Sequence, residues 1–160
     1  SGAASLKEDS KALASDELFA KMKDKYGNET DQYDISKIFA TAKSFVNNYN
    51  KMFDAAESSS NSGVVANLSY IREKTARNEE ALKQFGISVD QKGRMKIDEA
   101  TFKKSDMAEV QKLFKEYASS IGTNVSLVDY YMTTQANAAS GYTADGGYNV
   151  QGSARYAGMV

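Results

Sequence analysis

Phe85-Gly86-Ile87-Ser88-Val89-Asp90-Gln91-Lys92-Gly93-Arg94-Met95-Lys96-Ile97-Asp98-Glu99-Ala100-Thr101-Phe102 is the stretch whose reading decides the fold. Ile87 and Val89 alternate with polar residues, and so do Met95 and Ile97. This is the two-residue period of short strands with one covered face. Gly93 closes the turn between them, Gly86 ends the helix before them, and Asp98 N-caps the helix after them. A small β-hairpin near 86–98 is therefore expected between two helical regions.

Upstream lies a patterned helix pair. From Asp34, a good N-cap, to about Glu57, the residues Ile35, Ile38, Ala42, Phe45, Tyr49, Met52 and Ala56 recur at three- and four-residue steps. Ser58-Ser59-Ser60-Asn61-Ser62-Gly63 is a polar loop. A second helix is expected from Val64 to about Phe85, with Val64, Leu68, Ile71, Thr75, Asn78, Leu82 and Phe85 on its stripe. Two long helices joined by so short a loop predict an antiparallel, coiled-coil-like pair crossing at about +20°. Thr75 and Asn78 fall on the apolar stripe. They read either as a polar site that fixes register or partner, or as rim residues where the stripe drifts against strict heptads. Drift is the simpler expectation.

Residues 5–24 read as another helix through Leu6, Leu13, Leu18, Phe19 and Met22, with Ser15 placed to N-cap Asp16-Glu17-Leu18 and Tyr26–Thr30 breaking it. Downstream, a helix over about Met107–Ile121 presents Val110, Leu113, Phe114, Tyr117 and Ile121. Gly122 is expected to interrupt it and Asn124 to cap a further stretch through Val125, Val128, Tyr131 and Met132. Beyond Ala138 aliphatic residues almost vanish and Gly and Tyr take over. The organisation expected is an N-terminal helix and linker over 1–33, a helical domain over 34–137, and a Gly/Tyr-rich flexible tail over 138–160. The fold class is mainly α: the long-helix pair, the small β-hairpin, and additional packing helices. Ile35, Ile38, Phe45, Tyr49, Leu68, Ile71 and Leu82 are the expected core.

Composition narrows the chemistry. The 160 residues carry a formal net charge of -1, with no His, Cys, Trp or Pro. Without a basic field, nucleic acid is not an expected partner. Absent Cys removes disulfides and thiolate chemistry, and absent His removes the commonest neutral-pH proton carrier and metal ligand. No run of 18 apolar residues occurs, so no membrane span is expected. The start, Ser1-Gly2-Ala3-Ala4-Ser5, shows neither a basic region nor an apolar core of a secretory signal, and it lacks an initiating Met, as a fragment would.

The candidate reactive groups are sparse. The carboxylate pairs Asp98/Glu99 and Glu79/Glu80 have no convergent ligand set. Asp90-Gln91-Lys92-Gly93 has the start of a calcium loop without its later ligands, and a turn explains it better. Gly146-Gly147 lacks the context of a phosphate loop. The expected catalytic, cofactor-binding and metal residues are therefore none. Among ten tyrosines, Tyr49, Tyr117 and Tyr131 lie on helix stripes as packing residues. Tyr142, Tyr148 and Tyr156 in the tail read either as assembly anchors or as exposed residues.

Three segments in order carry a resemblance. They are Lys43-Ser44-Phe45-Val46-Asn47-Asn48-Tyr49-Asn50; then Leu82-Lys83-Gln84-Phe85-Gly86-Ile87 with Gly93-Arg94-Met95-Lys96-Ile97-Asp98-Glu99-Ala100-Thr101-Phe102; then Val110-Gln111-Lys112-Leu113-Phe114. Together, over about 34–121, they resemble the C-terminal helical region of the flagellar hook-associated protein 2 family, the filament capping proteins. The short loop between Asp54 and Val64 and the Gly/Tyr-rich end depart from that family's pattern. The resemblance implies a noncatalytic, exported assembly protein at the bacterial flagellum or cell surface. It would self-associate and contact flagellin-like or neighbouring subunits. The other class the sequence leaves open is a monomeric module, surface-attached or cytoplasmic, that binds protein or glycan.

Overall fold

A computed structural model describes residues 2–144, with side chains to Gln135. In chain order the elements are α1 (Gly2–Leu13), β1 (Lys21–Lys23), β2 (Glu29–Tyr33), α2 (Ile35–Ala56), α3 (Ser62–Arg77), α4 (Glu79–Gln84), β3 (Ile87–Val89), β4 (Met95–Ile97), α5 (Glu99–Lys103) and α6 (Met107–Ala144). The chain is mainly helical, and the two hairpins form separate two-stranded antiparallel sheets.

Four helices pack in alternating directions. Asp9 on α1 accepts hydrogen bonds from Ser44 and Asn48 on α2, each at 2.8 Å, while the opposite end of α1, at Gly2, lies against Lys51 and Met52. The α3 and α6 helices likewise run antiparallel, pairing Thr75 with Tyr117 and Asn67 with Asn124. The closest backbone seams are α1–α2, α3–α6 and α1–α6. The expected α2/α3 pair is antiparallel too, but its helices meet through long side chains. Tyr49 reaches Thr75, and Arg72 lies 4.8 Å from the Phe53 ring centroid. Large aromatics on α2 hold the two backbones apart, and a crevice follows from that spacing.

Phe45 sits at the centre of the core. Its ring meets Phe114 at 5.6 Å and Tyr117 at 6.0 Å, both edge-on, and Tyr49 at 6.3 Å. Edge-to-face geometry suits the ring quadrupole and adds to the gain from burial, which is about 1.5–3 kcal/mol for a side chain of this size. Ile38, Phe45, Tyr49, Leu68, Ile71 and Leu82 are all buried as expected. Ile35 is not: at the first position of α2 it is only partly covered, against the rim of the core.

The hairpin expected near 86–98 is present. Ile87, Ser88 and Val89 pair with Ile97, Lys96 and Met95. Gly86 (φ +85°) leads into it, and a Cβ there would stand 2.9 Å from the Asp98 carbonyl oxygen, so both conformation and space demand glycine. Asp98 caps α5 by accepting from the Thr101 N–H at 3.0 Å. Asn50 on α2 then fixes the hairpin to the bundle, donating to the Met95 carbonyl at 2.9 Å and accepting from its N–H at 2.8 Å.

Three expectations about helix boundaries are corrected. The helix expected over 5–24 stops at Leu13, and residues 21–33 form a second hairpin. Ser15 does cap, accepting from the Leu18 N–H at 3.3 Å, but what it caps is a single turn that buries Leu18 and Phe19. The helix expected over 64–85 breaks at Asn78, whose backbone leaves the helical region (φ −106°, ψ 9°) and whose side chain bonds back to the Lys74 carbonyl at 2.8 Å. That competition with the backbone ladder is characteristic of Asn. Gly122 interrupts nothing: α6 runs through it to Ala144, roughly 57 Å at about 1.5 Å per residue. The helix thus enters the stretch expected to be a tail from 138, and residues 145–160 of that tail lie outside the described residues.

Candidate functional site

A polar seam runs through the bundle where the sequence suggested stripe drift. Thr75 is 2% exposed, and its hydroxyl lies between two buried phenols, 3.2 Å from Tyr49 Oη and 2.7 Å from Tyr117 Oη. The rim reading fails for Thr75, because the large rings on α2 and α6 bring their hydroxyls inward and need a partner there. One helical turn or more away, Asn124 donates to Asn67 Oδ1 at 2.8 Å and accepts from Lys74 Nζ at 2.8 Å. Asn124, expected as a helix cap, is instead a buried cross-helix partner. Burial raises the pKa of Tyr49, and that of Tyr117 well above its ordinary value, so both remain protonated donors.

The α2/α3 crevice opens next to this seam as a cleft of about 270 Å³. Its floor is Tyr49 and Thr75, one wall carries Arg72 and Glu79, and the β3–β4 turn from Asp90 to Gly93 closes the far side. The break at Asn78 turns the chain so that Glu79, first in α4, faces this opening. Arg94 anchors the turn to α2 through Asp54 at 2.9 Å and Glu57 at 2.7 Å.

A second opening lies on the other side of the bundle, between α1 and α6. This groove of about 680 Å³ is mostly apolar. It is lined by Ala14, Ala118, Gly122, Leu127 and Tyr130, with Lys7 and Lys11 among its polar residues. Small residues on α6 leave it open, and Tyr130 stands 60% exposed beside it.

Three of the carboxylates singled out in the sequence, Asp90, Asp98 and Glu99, have structural duties. Asp90 Oδ1 accepts from the N–H groups of Arg94 and Lys92, which hold its carboxyl below the usual range. Asp98 is lowered by the Thr101 hydroxyl and N–H that it caps. Glu99 pairs with Lys103 at 2.6 Å along α5. Among the described residues no three carboxylates gather in a metal-binding arrangement, and no helix is long and apolar enough to cross a membrane. Tyr131 is partly buried against the core. The Tyr142 side chain, Gly146-Gly147, Tyr148 and Tyr156 lie outside the described residues.

No family model matches the chain, and no curated protein or solved structure matches it.

Proposed function

We propose that this chain is a noncatalytic assembly subunit, of the kind found in a flagellar filament cap, that works by helix packing and self-association. The single observation that carries this reading is the three-part sequence resemblance, and the packing of those parts supports it. Phe45 of the first segment meets Phe114 of the third at 5.6 Å, and Asn50 of the first bonds twice to Met95 of the second. Segments far apart in sequence thus form one continuous unit.

The surface proposed for self-association is the α1/α6 groove, and its proposed occupant is a second copy of the chain. An exposed apolar groove is a common mark of an interface. A net charge of only -1 provides little repulsion between copies. Flagellin-like subunits are the proposed further partners, at the flagellum or cell surface. Sedimentation velocity over a concentration series, followed by co-sedimentation with flagellin filaments, tests the proposal. Reversible oligomers and filament binding are expected; a strict monomer that ignores filaments overturns it.

A further inference from the structure

Tyr49, Thr75 and Tyr117 bring three hydroxyl protons to a site with two hydrogen bonds. Tyr49 donates to Thr75 Oγ1, and either partner can donate in the Thr75–Tyr117 bond. The third proton has no acceptor among the described residues. If Thr75 donated to Tyr117, the orphan proton would sit on Tyr117, which is 0% exposed and does not line the cleft. It would then bear the full desolvation penalty of an unmade bond. If Tyr117 donates instead, Thr75 accepts twice and keeps its own proton, on a residue that lines the cleft. The second arrangement costs less. It leaves a free donor on a residue that is 2% exposed and lines the cavity.

Charge around that donor is balanced and divided. Arg72 lines the same cleft, its guanidinium over the Phe53 ring. Its ion pair with Glu57 Oε1 is loose, at 3.5 Å, while Arg94 holds the other oxygen, Oε2, at 2.7 Å. Guanidinium donors therefore remain for the cleft. Glu79 supplies an exposed carboxylate on the same wall, and Lys92 and Asp90 add one charge of each sign on the facing turn. Asp90 is engaged by the Lys92 and Arg94 N–H groups, so a purely anionic ligand would meet the Glu79 carboxylate and a purely cationic one the Arg72 guanidinium. A ligand with both charges leaves neither stranded. The volume, about 270 Å³, falls just below the range of roughly 300–1,000 Å³ for drug-sized ligands.

We infer that this cleft is a binding site for a zwitterionic α-amino acid. Its carboxylate accepts from Thr75 and Arg72, and its ammonium donates to Glu79. The site lies across the bundle from the α1/α6 groove, so it stands or falls separately from self-association.

The test is an amide NMR titration of the full chain with free alanine, serine, aspartate and lysine, and with acetate and methylammonium as the separate halves. Saturable shifts at the Thr75 and Gly93 amides are expected with at least one amino acid, and responses weaker by roughly tenfold with each half. Glu79→Gln, at an exposed position, should weaken binding by roughly tenfold without altering the fold. Thr75→Ser should retain binding, and Thr75→Val should lose it. The inference is overturned if no amino acid gives a saturable shift, if acetate or methylammonium binds equally well, or if Glu79→Gln binds like the parent. The Glu79 variant keeps the test decisive if Thr75→Val does not fold.

Discussion

Asp24 and Asp90 hold two separate hairpins with the same hydrogen bonds. Asp24 Oδ1 accepts from the N–H groups of Tyr26 and Asn28, and Asp90 Oδ1 from those of Lys92 and Arg94, all at 2.8–2.9 Å. In each turn the glycine three residues on has positive φ, +84° at Gly27 and +78° at Gly93. Each hairpin then delivers an aspartate N-cap, Asp34 for α2 and Asp98 for α5. The chain thus uses one device twice: an aspartate-bridged turn, a returning strand and a capped helix. The helices it launches meet, with Phe39 and Phe102 at 5.8 Å.

Thr75→Val is expected to destabilise the fold by about 1–3 kcal/mol, since it removes the partner of two buried phenols while keeping the volume. Thr75→Ser should recover most of that. Urea unfolding midpoints measure both. A valine variant as stable as the parent would mean that the tyrosine hydroxyls find other acceptors.

Phe45→Ala empties the centre of the aromatic cluster and should cost about 3–5 kcal/mol. Calorimetric or chemical unfolding checks this. An unchanged midpoint would remove Phe45 from the core.

Gly86→Ala should cost on the order of 1–3 kcal/mol, because alanine is strained at φ +85° and its Cβ would crowd the Asp98 carbonyl. Amide exchange should show the loss first in β3, β4 and α5. Stability equal to the parent would show that the junction relaxes freely.

Alkaline pH should destabilise the protein through Tyr49 and Tyr117. Both pKa values are raised by burial above the ordinary 10.0, so the folded state keeps protons that the unfolded state releases. That stabilisation is whole below 10.0 and is lost as pH rises through the folded values. Asp16, Asp90 and Asp98 have lowered values, so their contribution is whole above 3.8 and is lost as pH falls. Unfolding midpoints across the alkaline range should fall for the parent and fall less for Tyr117→Phe. Parallel slopes would assign the alkaline loss to other groups.

The α2 stripe, the β3–β4 hairpin and the Asp34 and Asp98 caps were legible because each depends on local periodicity or a single capping residue. The β1–β2 hairpin was missed because Leu18, Phe19 and Met22 are spaced as on one helix face, and a one-turn plug followed by a strand uses them equally well. The signal available was repetition, since Asp24-x-x-Gly27 before Asp34 parallels Asp90-x-x-Gly93 before Asp98. Thr75 could not be placed from its own helix. Its burial follows from phenols on α2 and α6, 26 and 42 residues away in sequence. The groove and the cleft likewise arise where helices distant in sequence fail to close on each other.

Ser126 also lines the α1/α6 groove, and sedimentation velocity of the parent beside Ser126→Arg, which places a long cation there, is the sharpest test of the assembly proposal. Concentration-dependent oligomers are expected for the parent, and a monomer of unchanged thermal midpoint for the variant. A parent that stays monomeric at every concentration, or a variant that assembles as the parent does, would contradict it.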